Sequence, residues 1–135
     1  MSETRKQLKI FSFVQVVAMV LALASGIALV AFPGEGENAL GLDPMTFGAV
    51  LCAVAAVAGV LAFCAAAQGI RGANVPSKLG PHAPLSAASA LVAAVGGCLE
   101  VASSAPLGSF AFWLLAVVGV AALVQGRKVR AELDR

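Results

Sequence analysis

Charge is scarce in this sequence, and its distribution decides the fold class. Only 12% of the 135 residues are Asp, Glu, Lys or Arg, against about a quarter in a globular chain. Residues 10–34, 44–70, 79–99 and 101–126 hold none of the four. A soluble domain rarely runs past about 18 such residues even once, so an ordinary water-soluble core is excluded. Tyrosine is absent, and His82 is the single histidine. There is no Ser-His-Asp set, no paired carboxylates, no HExxH and no glycine-rich phosphate loop. Catalysis needs a nucleophile or an acid–base pair with a partner, so no enzyme is expected. One histidine without partners ligates neither a haem nor a metal ion, so no cofactor is expected. Cys52, Cys64 and Cys98 form no CxxC pair and no metal-ligand spacing.

What is present is apolar. The chain is 60% hydrophobic. At about 1.5 Å per helical residue, each charge-free run is long enough to cross a hydrocarbon layer of roughly 30 Å. The expectation is an all-α chain: an integral-membrane four-helix bundle made of two antiparallel helical hairpins. It forms one domain over residues 1–135, with spans at about 8–32, 45–68, 84–105 and 107–126 and a basic tail at 127–135. Too little chain lies outside the spans to bury a second core. The first run continues to Phe32, beyond the roughly 7–15 residues of a signal-peptide core, and reads as a retained helix.

The cations set the orientation. Arg5, Lys6 and Lys9 precede the first span, Arg71 and Lys78 lie between the second and third, and Arg127, Lys128, Arg130 and Arg135 follow the fourth. The 33–44 loop holds only Glu35, Glu37 and Asp43. An excess of Lys and Arg marks the cytoplasmic side, so both termini are expected inside. The formal net charge of +2 hides this polarity and points to no nucleic acid. Basic tails of this kind attract anionic headgroups by about 1 kcal/mol per cation, or serve only to fix topology.

Local signals bound the helices. Pro33-Gly34 stops the first, and Asp43-Pro44 offers an N-cap followed by proline at the first helical position of the second. The segment 69–83, with Gly72, Pro76, Gly80 and Pro81, reads as a connection, and Pro84 as the opening of the third helix. Pro106-Leu107-Gly108-Ser109 reads as a sharp turn between antiparallel neighbours. Phe32, Phe47, Phe110, Phe112 and Trp113 gather toward one boundary, and Phe11 and Phe13 toward the other, as in an aromatic belt. Gln68-Gly69-Ile70-Arg71 and Gln125-Gly126-Arg127-Lys128 share a Q-G-x-basic pattern at the ends of two helices. That echo fits a duplicated hairpin, or simply similar ends on similar helices.

Several residues are candidates for chemistry or recognition. Glu100 is the one carboxylate placed inside a span, with Gly96, Gly97, Ser103 and Ser104 three or four residues away on its face. Intramembrane carboxylates are costly and usually face protein or water. Glu100, with Ser103 and Ser104, is therefore a candidate ion or proton site; an outer-leaflet structural hydrogen bond is the plainer reading. Cys52 stands eight residues after Pro44 and Cys98 eight before Pro106. A shared depth makes Cys52 and Cys98 a candidate thiol pair, although a buried cysteine usually acts as a small apolar residue. Ala18, Ala22 and Gly26, Ala55 and Gly59, and Ser89, Ala93 and Gly97 repeat every four residues as small-xxx-small faces. These are the candidate helix-packing surface, within the bundle or between copies. Gln15, Gln68 and Gln125 form either a polar ring at an inner vestibule or separate interhelical bonds. His82, between Pro81 and Pro84, is expected to be a solvated loop residue.

These features leave two classes of function. One is a small non-enzymatic multi-pass protein, an accessory, assembly or interaction subunit of the bacterial inner membrane. The other is a homo-oligomeric small-solute or ion transporter using Glu100. The partners expected are membrane lipids and either further copies of the chain or a larger membrane complex.

Overall fold

Each apolar run becomes a helix. In the computed structural model, α1 spans Glu3–Ala31, α2 Pro44–Asn74, α3 His82–Ala102 and α4 Pro106–Leu133. The structure describes residues 3–31, 41, 43–75, 77, 79–102 and 106–133, excluding the side chains of residues 29, 100–102, 106–109 and 133. All four helices are long and apolar enough to cross a membrane. The shortest candidate span, His82–Leu99, has 18 residues, or roughly 27 Å of helix.

The helix ends have local causes. Asp43 is the N-cap of α2, with its carboxylate accepting from the Thr46 backbone N–H at 3.2 Å and from Thr46 Oγ1 at 2.6 Å. Pro44 follows at the first position, where the missing N–H costs nothing. At the other end of α2, Arg5 of α1 donates to the carbonyl oxygens of Ala73 and Asn74, each at 2.6 Å. Those carbonyls have no partner within their own helix, and a cation suits the negative end of the dipole.

Several boundaries differ from the sequence reading. α1 starts at Glu3 rather than near Leu8, so the first basic cluster is helical. α2 continues through Gly69 and Gly72 to Asn74, because Gly69 packs against Ser12 of α1 and His82 of α3, and Gly72 against Leu79 of the following connection, instead of breaking their own helix. α3 begins at His82, two residues before Pro84. Pro106–Ser109 is the first turn of α4 rather than a sharp turn between the helices.

α1 lies against α2 and α4, and α3 lies against the same two helices. Neighbours run antiparallel. Gly59 of α2 meets Met19 and Leu23 of α1, while Gly26 meets Cys52 and Ala55. Ser89 of α3 donates to the Ala58 carbonyl of α2 at 3.1 Å. Gly96 and Gly126 meet Phe112 and His82 across α3 and α4.

Side-chain size is distributed inside out. The interior is built of Ala18, Ala22, Ala55, Ala58, Ala62 and Ala93, closed by Phe112 and Leu115. The outer surface carries Ile10, Val17, Ile27, Val60, Leu91 and Val117, each more than half exposed. In water that surface would drive aggregation. In lipid it is matched to its solvent, and small residues let the backbones approach closely. With four spanning helices so clothed, the chain is a multi-pass membrane protein.

The described cations share one end of this assembly. Arg5 sits against the end of α2, and Leu8, Ala73, Leu79 and Val129 form one apolar cluster there. Arg71, Arg127, Lys128 and Arg130 belong to the helix ends that meet at this cluster.

Candidate functional site

The densest polar grouping is inside the basic end, around His82. As the first residue of α3, His82 donates its backbone N–H to the Leu79 carbonyl at 3.1 Å. Its ring is driven inward and is only 1% exposed. Two glycines make room for it. A Cβ on Gly69 of α2 would stand 3.1 Å from Nε2, and one on Gly126 of α4 would stand 2.5 Å from Nδ1. Ser12 of α1 packs on the same Gly69. Ser86, one turn along α3, places Oγ 3.4 Å from His82 Nε2, a long hydrogen bond whose donor is set by the ring tautomer. All four helices therefore contribute to one pocket of polar side chains and bare backbone.

Polar groups at this end of the bundle are incompletely bonded. Ser12 and Gln15 are fully buried, and Ser12 Oγ, both amide atoms of Gln15, and Gln125 Oε1 have no hydrogen-bond partner among the described residues. Ser12 and Gln15 are three residues apart and share a face of α1. A buried polar group without a partner costs about 1–3 kcal/mol.

On its outer side His82 borders a cleft of about 550 Å³ between α3 and α4, lined also by Leu79, Pro84, Leu123, Arg127 and Arg130. The volume is in the range of small-molecule sites. Its mouth carries two exposed guanidinium groups, and its walls are aliphatic.

The sequence candidates fall in several places. Glu100 belongs to α3, but its side chain lies outside the described residues, as do Ser103 and Ser104. Cys52, Cys64 and Cys98 are all free thiols, with Cys52 half-buried and the other two exposed. Ala18, Ala22, Ala55, Ser89 and Ala93 are buried, as are Gly26, Gly59 and Gly97. Gly26 and Gly59 face each other's helices, whereas Gly97 makes room for Trp113. Gly96 does the same for Phe112, with a Cβ there only 2.6 Å from the ring. The small face below Glu100 is thus filled by aromatic rings of α4. Phe47 and Phe112 are buried rather than turned to lipid, while Phe13, Phe110 and Trp113 are exposed.

His82 is the clearest correction. It is a buried core residue and not a solvated loop histidine. Among the glutamines, Gln15 is fully buried, and Gln68 and Gln125 are half-buried. Among the described residues no three His, Cys, Asp or Glu are grouped to hold a metal ion. Compared with known protein families, characterised proteins and solved structures, the chain has no match.

Proposed function

We propose that this is a non-enzymatic multi-pass subunit of the bacterial inner membrane, a bundle of two antiparallel hairpins with both termini cytoplasmic. It acts as an accessory, assembly or interaction protein, through helix contacts and its basic end. The observation that supports this reading is the concentration of features at one end. The described cations, the polar cluster around His82 and the Arg127/Arg130 cleft lie together, and large apolar side chains dress the flanks of the four helices. A protein with such polarity presents one recognition surface to the cytoplasmic interface. Native mass spectrometry of protein extracted gently from its host membrane tests it. A different protein held at fixed stoichiometry supports the reading, and the chain alone or only with itself contradicts it.

A second reading, a homo-oligomeric small-solute or ion transporter, draws support from the orphan polar atoms of Ser12, Gln15 and Gln125. Glu100 remains its candidate carboxylate. In reconstituted vesicles this reading expects solute flux that Glu100→Gln and Gln15→Leu each abolish. No flux from the wild-type chain removes it.

A further inference from the structure

The cleft at the basic end does not stop at Leu123. A second groove of about 540 Å³ runs along the outer seam of α3 and α4, and Ala87 and Leu123 line both. Its other walls include Leu91, Ala94, Val117 and Trp113, with almost no polar surface. From Leu123 to Trp113 is ten residues of α4, roughly 15 Å. That is about half of a hydrocarbon core of roughly 30 Å, the depth of one leaflet. The seam therefore has the length of one acyl chain, and it opens to the lipid side.

Its mouth has the opposite character. Arg127 and Arg130 are three residues apart on one face of α4, and both line the cleft and are exposed. Across from them, Ala83 and Pro84 place the first turn of the 21-residue helix α3 in the same wall. The α3 N-terminus adds the positive end of its dipole, but the N–H groups of His82 and Leu85 are bonded to the carbonyls of Leu79 and Pro81, and Pro84 has none, so the donors matched to phosphate oxygens are the two planar guanidinium groups. Two guanidinium groups, together with the dipole of α3, thus cap an apolar groove at the level where headgroups lie.

We propose that the α3/α4 seam binds one anionic phospholipid. Its phosphate sits between Arg127, Arg130 and the start of α3, and an acyl chain lies along Leu123, Leu91 and Val117 to Trp113. A water-soluble phosphate would use the mouth and leave the seam to bulk lipid. A partner helix would use the seam without needing the cations. Charge and apolar length together select a lipid with a negative headgroup. The site holds under either functional reading.

Trp113 is the single tryptophan, so its fluorescence reports the far end of the groove. The full chain is reconstituted in phosphatidylcholine vesicles that contain a small, varied fraction of lipid brominated near the acyl terminus. The brominated lipid is either phosphatidylglycerol or phosphatidylcholine. Two interfacial cations favour the anionic headgroup on the order of tenfold or more. Half-maximal quenching is therefore expected at a correspondingly lower fraction of brominated phosphatidylglycerol. Arg127→Gln/Arg130→Gln should erase the difference, because both side chains are exposed and their loss leaves the fold intact. Ala87→Leu, which keeps the charges and narrows the shared neck, should weaken quenching by phosphatidylglycerol. Equal quenching by the two lipids overturns the proposal. So does a preference that survives the double substitution. Equal quenching by the two lipids, with Trp113 emission that shifts on adding inorganic phosphate but not chloride at equal ionic strength, would instead assign the mouth to free phosphate.

Discussion

Arg5, near the start of α1, donates from Nε to the carbonyl oxygen of Ala73, near the end of α2, at 2.6 Å. A second bond from Nη2 to the Asn74 carbonyl, also at 2.6 Å, makes the guanidinium a fork across two chain-end acceptors. Arg5→Gln should therefore cost about 1 kcal/mol and open the last turn of α2. Amide exchange at Val75, whose N–H bonds to the Arg71 carbonyl, is the readout. Arg5→Lys should fail to restore protection, since an ammonium group does not reproduce the fork. Full rescue by lysine would mean that only charge matters there.

Gly126 and His82 are coupled by lack of space. Adding a Cβ at Gly126 places it 2.5 Å from His82 Nδ1, and Gly69 holds the ring from the other side. Gly126→Val should destabilise the protein by about 1–3 kcal/mol, the usual cost of overpacking. In the Gly126→Val/His82→Ala background the added cost should largely vanish, a coupling that thermal unfolding in detergent measures. Gly80→Ala, with nothing within 4 Å, is the neutral control. Additive effects at 82 and 126 would place the ring elsewhere.

Ser89 carries a buried interhelical bond to the Ala58 carbonyl. Such bonds average about 0.6 kcal/mol in membrane bundles, so Ser89→Ala should be mild, below about 1 kcal/mol. Ser89→Leu should be far worse, because it pushes α2 and α3 apart. Unfolding midpoints in detergent distinguish the two, and equal effects would deny close packing at this position.

Asp43 titrates in a predictable direction. Its hydrogen bonds from the Thr46 side chain and backbone hold its carboxyl below the ordinary carboxylate value. The folded pKa is the lower one, so the cap is fully effective above the unfolded pKa and is lost as pH falls through the folded value. Protection of the Thr46 amide, corrected for intrinsic exchange, should fall on acidification below about pH 4. Thr46→Val should move that loss to higher pH, and an unchanged profile would show that the cap does not hold the helix end.

The free thiols make a direct prediction about the Cys52–Cys98 pair. Maleimide labelling after unfolding in SDS should modify Cys52, Cys64 and Cys98 alike, with or without prior reductant. A pair released only by reductant would revive the redox reading.

The helices were legible because charge-free runs of that length have few alternatives. Their ends were less so, because glycine and proline carry two meanings. Gly69 and Gly72 read as chain breakers, yet the structure uses their bare backbones to seat Ser12, His82 and Leu79. His82 was misread for the same reason, since a histidine flanked by prolines resembles a loop. A trace of its burial was nonetheless visible in the Q-G-x-basic echo. The two glycines of that echo, Gly69 and Gly126, pack on the two edges of the one ring. Arg127 and Arg130 were legible as topology signals, whereas the cleft they share with α3 depends on tertiary placement that spacing alone does not contain.

Reporter fusions along the chain read its topology. Four spans with the basic ends together on the cytoplasmic side fix where each reporter works. A fluorescent protein that folds only inside should be bright at both termini and within 71–80. A phosphatase that is active only outside should work when inserted at 35–41. Phosphatase activity at either terminus, or fluorescence from a 35–41 insertion, would contradict the arrangement.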